Sequence, residues 1–181
     1  MSLNLAPTLF LGSLLVMASV TDIRSHRIPN LLTYPATVLA FLYYGWTNGL
    51  GGVLFSAEGW TTGLALLLLP FLIGVMGAGD VKLMAAVGAV LGPKRTVAAF
   101  LFVCIAGGIY ALVVLLVRRK ECAAKMTQYV ATAKRFLATG LYLPGDNKNK
   151  PKSPKLFYGL AIAIGTLVSV SFELMGWALP L

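Results

Sequence analysis

The stretch Gly77-Ala78-Gly79-Asp80-Val81-Lys82 decides how this chain is interpreted, because it places an acid between two apolar runs, 64–75 and 83–91. An aspartate at the centre of a membrane helix costs about 2.5 to 3.5 kcal/mol, so an acid inside a membrane is by default a functional-site hypothesis. Helix capping is the alternative, since aspartate accepts hydrogen bonds from the first free amides of a helix. A second acid, Asp22, ends another long apolar run and favours the functional interpretation.

The composition predicts an integral membrane protein. Of the 181 residues, 58% are hydrophobic and 12% are charged, whereas a soluble domain is about 45–50% apolar and about 25% charged. The net charge of +9 indicates basic cytoplasmic loops, and not nucleic-acid binding, because the basic residues lie between apolar spans. Cys104 and Cys122 form neither a CxxC pair nor a disulfide framework, so we predict no metal site and no cofactor.

The apolar runs predict an all-α, polytopic fold with six transmembrane helices in a single membrane-embedded domain, 1–181. The predicted spans are about 3–20, 31–46, 60–76, 81–91, 96–117 and 156–179. The first span has no basic residue before it, so we interpret it as a retained helix and not as a signal peptide. The glycine-rich residues 48–59 are interpreted as a turn region.

The span at 81–91 is too short to cross a membrane unaided. Its 11 residues rise only ~16 Å, against a hydrocarbon core of ~30 Å. This helix must therefore be shielded by its neighbours, extended by the glycines before it, or placed where the bilayer is thin.

The long polar stretch 118–155 contains ten of the 15 basic residues. Apolar side chains at helical spacing in its first half predict an amphipathic cytoplasmic helix that binds membrane lipid at an anionic surface. A face that recognises a protein partner is the alternative.

The distribution of charge predicts the orientation of the chain. With residues 23–30 in the cytoplasm, 13 of the 15 basic residues lie on that side and only Lys94 and Arg95 lie outside. Both termini are then outside the cytoplasm, and Asp22 and Asp80 lie at the cytoplasmic face of the inner membrane.

Two carboxylates at one membrane depth on different helices match the needs of an aspartic hydrolase. The ionised carboxylate takes a proton from water, while the protonated one donates to the scissile carbonyl oxygen. From the helix dipole we expect Asp80, at a helix start, to be the ionised base and Asp22, at a helix end, to be the protonated acid. Because His26 is the only histidine, a His-rich metal site is excluded. A catalytic Ser–His or Cys–His pair that includes His26 stays open, although the position of His26 in a basic hairpin favours an interfacial role.

These residues resemble two signatures of the type IV prepilin peptidases, a GxGD-type family of intramembrane aspartic peptidases. Residues 77–82 are similar to its GxGD-x-K signature, and Asp22 with Arg27-Ile28-Pro29-Asn30 resembles its D-x4-R-I-P-N pattern. The resemblance implies that Asp22 and Asp80 are the catalytic pair. It also implies an inner-membrane protease that removes the short basic leader of prepilin-like substrates at the cytoplasmic face, in pilus biogenesis or type II-like protein secretion.

The resemblance is to the short branch of this family. Larger members carry a cytoplasmic insertion with a CxxC…CxxC zinc site and also methylate the mature pilin, and the sequence contains no such insertion. The short branch is associated with Flp-type pili and with archaeal preflagellin processing. No methyltransferase activity is therefore expected.

Two other functions stay open. A small proton-coupled transporter would also use intramembrane aspartates, but it would be favoured by inverted repeats with acids in corresponding halves, and we see none. A non-catalytic assembly partner of a secretion system would be expected to have lost one acid, whereas this chain keeps Asp22 and Asp80.

Overall fold

The computed structural model describes residues 5–25, 27–73, 76–117 and 158–176. These residues form five α-helices and no strand, which confirms the predicted all-α fold. The helices are α1 (Leu5–Ser25), α2 (Asn30–Leu72), α3 (Ala78–Leu91), α4 (Pro93–Val117) and α5 (Tyr158–Leu174). The predicted amphipathic helix, and the whole stretch 118–155 that contains it, lie outside the described residues.

The chain divides into two compact units, one of residues 1–108 with 157–181 and the other of residues 109–156. The last turns of α4, from Ile109 onward, therefore belong to the second unit. The contacts described below all lie in the first unit.

Three of the described helices, α1, α2 and α4, are long and apolar enough to cross a membrane, and α5 is a shorter apolar helix. Large apolar side chains on their outer faces are exposed, among them Leu9, Leu42 and Ile105. Apolar helices that also expose apolar side chains on their outer surface are typical of a protein surrounded by lipid. The chain is thus a helical membrane protein.

A sharp break at Gly49 divides α2 into two arms. The backbone angles of Gly49, φ 60° and ψ −144°, lie outside the helical region. Glycine adopts a positive φ readily, whereas a residue with a Cβ atom does so at a cost. We call residues 30–48 the first arm and residues 50–72 the second arm. The predicted turn region at 48–59 is wrong in extent, because one glycine turns the chain and the helix resumes directly after it.

The first arm of α2 runs in the same direction as α3. Near the start of this arm, the ring centroid of Tyr34 lies 5.1 Å from the Lys82 Nζ atom. Near its end, the Tyr44 hydroxyl donates a buried hydrogen bond of 2.7 Å to the Val90 carbonyl. Residue numbers therefore rise together along the two helices.

The second arm of α2 runs in the opposite direction along α3. The Ser56 hydroxyl donates a hydrogen bond of 2.8 Å to the Ala89 carbonyl, whereas Gly63, farther along the arm, packs against the backbone of Met84. The two arms thus form a helical hairpin, and α3 lies against both of them.

α3 is the buried centre of this arrangement. Every residue from Leu83 to Leu91 is buried. Gly59 and Gly88 allow the close approach, because the carbonyl group of each lies where the Cβ atom of the other would be. Side chains of the two arms also supply donors to carbonyls in the last turn of α3, which have no partner within the helix. Of the alternatives left open for this short helix, the structure shows shielding by neighbouring helices, and the helix also begins earlier than predicted, at Ala78.

α5 packs beside α4 and runs antiparallel to it. Gly165 lies against the backbone of Val103, while Arg95, near the start of α4, forms an ion pair of 2.7 Å with Glu173, near the end of α5. α1 packs mainly against α5. This arrangement brings the end of α1 to the start of α5.

The contact between Gly59 and Gly88 leads to a stability prediction. A methyl group at Gly88 would overlap the Gly59 carbonyl, whereas Gly51, on the same arm as Gly59, has nothing within 4 Å of the position of a Cβ atom. Overpacking of this kind costs about 1–3 kcal/mol. We therefore expect Gly88→Ala to lower the melting temperature of the detergent-solubilised protein and Gly51→Ala to leave it unchanged or slightly raised. Equal melting of the two variants would contradict the close helix contact.

Candidate active site

Asp22 lies in the last turn of α1, and only 6% of its surface is exposed. α1 continues to Ser25, beyond the predicted end of the span at 20, so Asp22 is held on a helix and not in a turn. Its Oδ2 atom accepts a buried hydrogen bond of 3.0 Å from the Gly159 N–H. Gly159 is the second residue of α5. Its N–H has no partner within that helix, so Asp22 supplies one from another helix.

Asp80 lies in the first turn of α3 and is 9% exposed. Its Oδ2 atom accepts a hydrogen bond of 3.1 Å from the N–H of Gly77, the residue that precedes the helix. The carboxyl group therefore caps the start of α3 from the third helical position, and the N-cap residue is Gly77 and not Asp80, which the capping alternative placed there. Capping fixes the position of the group at the helix start, and it is compatible with chemistry on the same carboxyl group.

The two acids lie at the same end of the helical bundle. The start of α3, which carries Asp80, lies beside the start of α2, since Lys82 contacts Tyr34. The close contacts between the far end of α3 and α2, and the Arg95–Glu173 ion pair, belong to the opposite end.

The environment of Asp80 changes its titration. Asp80 precedes the apolar residues 81–91 and lies outside the three helices long enough to cross a membrane. Burial has the largest effect and raises the pKa of Asp80 to about 6; the hydrogen bond from Gly77 lowers it, and the negative charge of Asp22 raises it. The two carboxyl groups are therefore close enough for one charge to act on the other.

The structure removes the reason for assigning Asp80 as the base and Asp22 as the acid from the helix dipole. That expectation placed Asp80 at a helix start and Asp22 only at a helix end. In the structure each carboxylate accepts an N–H at the start of a helix, from Gly77 for Asp80 and from Gly159 for Asp22. The helix dipole thus favours a negative charge at both positions, and it no longer assigns the base to Asp80.

The two sequence signatures are in direct contact. Ile28, which follows α1, packs against Gly79 so closely that a Cβ atom there would lie 3.2 Å from the Ile28 side chain. The Lys82 ammonium donates a hydrogen bond of 3.0 Å to the Asn30 side-chain oxygen. Lys82 thus binds Asn30 and not Asp80, in agreement with its position two residues further along α3. These contacts link the connection between α1 and α2 to the helix that carries Asp80.

Other chemistries find less support in the described part of the chain. Among residues 5–25, 27–73, 76–117 and 158–176, no group of three or more His, Cys, Asp or Glu side chains could hold a metal ion. His26 and Cys122 lie outside the described residues. Cys104 lies on α4 and is exposed.

Sequence analysis missed Gly159 and the Asn30–Lys82 hydrogen bond. Gly159 is 137 residues from Asp22 in the chain, and nothing in the sequence near it points to an acid. Asn30 and Lys82 belong to separate signatures, so each could be recognised without the contact between them being visible. Both contacts depend on how the helices pack.

Comparison with known proteins gives one family and two curated relatives. The model of the type IV leader peptidase family matches residues 9–112, which include both acids. A protein of Bacillus subtilis named prepilin leader peptidase/N-methyltransferase is 34% identical over 121 residues, which cover 65% of this chain and 48% of that protein. A Vibrio cholerae protein of the same name is 36% identical over 80 residues, covering 40% of this chain and 31% of that protein.

The match to these relatives is partial. The aligned part spans about half of the Bacillus subtilis protein and about a third of the Vibrio cholerae protein. No solved structure matches the chain.

Proposed function

Because the chain belongs to the type IV leader peptidase family, we propose that it is a membrane aspartic endopeptidase that removes the leader of prepilin-like substrates. The observation that carries this proposal is the pair Asp22 and Asp80. Both are buried, they lie at one end of the bundle, and the charge of one acts on the other. Family membership and this pair favour a peptidase over the small transporter, which has no supporting observation of its own.

The proposed reaction needs one ionised and one protonated carboxyl group. Burial raises the pKa of Asp80, so we assign the donated proton to Asp80 and the negative charge to Asp22. Asp22 then takes a proton from water, the resulting hydroxide adds to the scissile carbonyl carbon, and Asp80 donates its proton to the carbonyl oxygen. Asp22 next protonates the leaving nitrogen, Asp80 takes a proton back from the tetrahedral intermediate, and the C–N bond breaks.

The helical hairpin formed by α2 supports the proposal of six membrane crossings. Its 43 residues would extend about 64 Å as one straight helix, roughly twice the hydrocarbon core of about 30 Å. The break at Gly49 reverses the chain, so each arm accounts for one crossing. With α1, α4, α5 and residues 81–91 of α3 this gives six crossings, and the excess of basic residues then orients the end that carries the two acids toward the cytoplasm.

A cytoplasmic site suits a substrate whose leader stays in the cytoplasm while its apolar helix remains in lipid. We propose Flp-type prepilins as the substrates, because the sequence resembles the short branch of the family. The reaction proposed for this chain is leader removal without methyl transfer, so the mature product should carry an unmodified N-terminus.

The first prediction for this function concerns the two acids. Asp22→Asn and Asp80→Asn should each lower leader removal by at least about 100-fold, because an amide keeps the shape of the side chain but cannot exchange protons. The measurement is co-expression with candidate prepilins, followed by mass spectrometry of the substrate N-terminus.

Glu58→Gln is the matched control, since Glu58 is an exposed acid on the second arm of α2. It precedes Gly59, which packs near the end of α3 opposite to Asp80. It should process substrate at the wild-type rate. Near wild-type cleavage by either aspartate variant would show that the dyad assignment is wrong.

The pH dependence of cleavage follows from the raised pKa of Asp80. The pKa is raised to about 6, so the proton that Asp80 donates is present below that pH and is lost as the pH rises through it. We expect kcat/KM to fall on the alkaline side with an apparent pKa near 6. The measurement is an assay of the purified enzyme in detergent from roughly pH 4.5 to 9, a range that brackets the titration of Asp80. A rate that stays constant or rises above neutral pH would contradict Asp80 as the proton donor.

The orientation can be tested by labelling single cysteines introduced into a cysteine-free variant. A cysteine at position 48, beside the break in α2, should react with an impermeant thiol reagent added outside the cell. A cysteine at position 148, in the basic stretch, should react only after the cytoplasm is opened. The reversed pattern would place both acids on the side opposite to the leader.

A further inference from the structure

Gly159 contacts Asp22 in two ways. Its N–H donates the 3.0 Å hydrogen bond to the Asp22 Oδ2 atom. It also leaves room for that carboxyl group, because a Cβ atom on Gly159 would lie 2.8 Å from Oδ2 and 3.1 Å from the Cβ and Cγ atoms of Asp22. Real Cβ atoms do not approach other atoms as closely as 2.8 Å, so any side chain here would displace the Asp22 side chain.

This contact differs from that of the other crowded glycine on α5. The nearest atoms to a Cβ atom on Gly165 belong to the backbone of Val103 and Phe102, so Gly165 serves the packing of α5 against α4. The three nearest atoms to a Cβ atom on Gly159 all belong to Asp22. The absence of a side chain at Gly159 therefore leaves room for the Asp22 side chain, and not for the backbone of a neighbouring helix.

We infer that Gly159 is a positioning residue for the proposed peptidase, and that the first turn of α5 is a third component of the active site. Its N–H holds the Oδ2 atom of Asp22 and so fixes the orientation of the carboxyl group. The inference rests on the proposed function, since it assigns Gly159 a role in the reaction that Asp22 performs. The match to the family model covers residues 9–112 and does not reach α5.

The test compares Gly159→Ala with Gly165→Ala, two identical substitutions on the same helix. Gly159→Ala should lower kcat by about 10- to 100-fold, because a displacement of a catalytic group by about 1 Å has an effect of this size. KM should stay within about twofold, since the binding of the substrate is left intact. Gly165→Ala should lower the melting temperature and leave kcat of the folded enzyme within about twofold of wild type.

The split between kcat and KM provides a measurement that a packing defect alone would not change. A defect that only weakens helix packing lowers the melting temperature, as expected for Gly165→Ala, whereas a displaced catalytic group lowers kcat at an unchanged KM. An unchanged kcat of the folded Gly159→Ala enzyme would overturn the inference.

A double-mutant cycle on stability tests the contact without any substrate. Gly159→Ala is combined with Asp22→Ala, and the melting temperatures of all four proteins are measured in detergent. The destabilisation by Gly159→Ala should largely disappear in the Asp22→Ala background, because the overlapping carboxyl group is gone. Additive effects would overturn the inference even if Gly159→Ala is too unstable to assay. If the wild-type protein cleaves no prepilin, the proposed function fails, and the cycle still decides the contact.

Discussion

The approach of α2 and α3 at Gly59 and Gly88 is the constraint on which the rest of the structure depends. Between helices in lipid the hydrophobic effect gives no net attraction, so association relies on close packing and on hydrogen bonds. Here the two backbones meet without side chains between them, and Ser56 and Tyr44 donate to the end of α3. This packing buries residues Leu83 to Leu91 of α3, a helix of only 14 residues. It also fixes the start of α3, and with it the position of Asp80.

Both acids are buried, and the carboxyl group of each accepts an N–H at the start of a helix. An isolated carboxylate in an apolar environment is costly, and in this chain the compensation comes from backbone amides that have no partner within their own helix. Asp80 uses the N–H that precedes its own helix, and Asp22 uses one from α5. The same hydrogen bonds that make burial tolerable also orient the carboxyl groups. Structural stabilisation and the proposed chemistry therefore depend on the same atoms.

The two signatures form one structural unit. Ile28 packs on Gly79, and Asn30 accepts a hydrogen bond from Lys82, so residues on both sides of Asp80 contact the segment that follows Asp22. This explains in physical terms why a glycine at position 79 and a lysine at position 82 accompany the acid. Gly79 leaves room for Ile28, and Lys82 reaches across to the start of α2. These contacts hold the start of α3 against the connection between α1 and α2.

The sequence alone determined the membrane environment and the all-α fold, which depend on local hydropathy, and short signatures within it marked Asp22 and Asp80 as the candidate acids. For the short helix at 81–91 it left shielding by neighbours, extension or a thin bilayer open, since eleven residues cannot span about 30 Å. The turn region predicted at residues 48–59 was wrong in extent. These residues are helical apart from a break at one glycine with a positive φ, Gly49. Only the tertiary structure decided the environment of Asp22, because the amide that binds it comes from Gly159, 137 residues away. A hydrogen bond between distant segments depends on the packing of whole helices, and no local pattern in the chain encodes it.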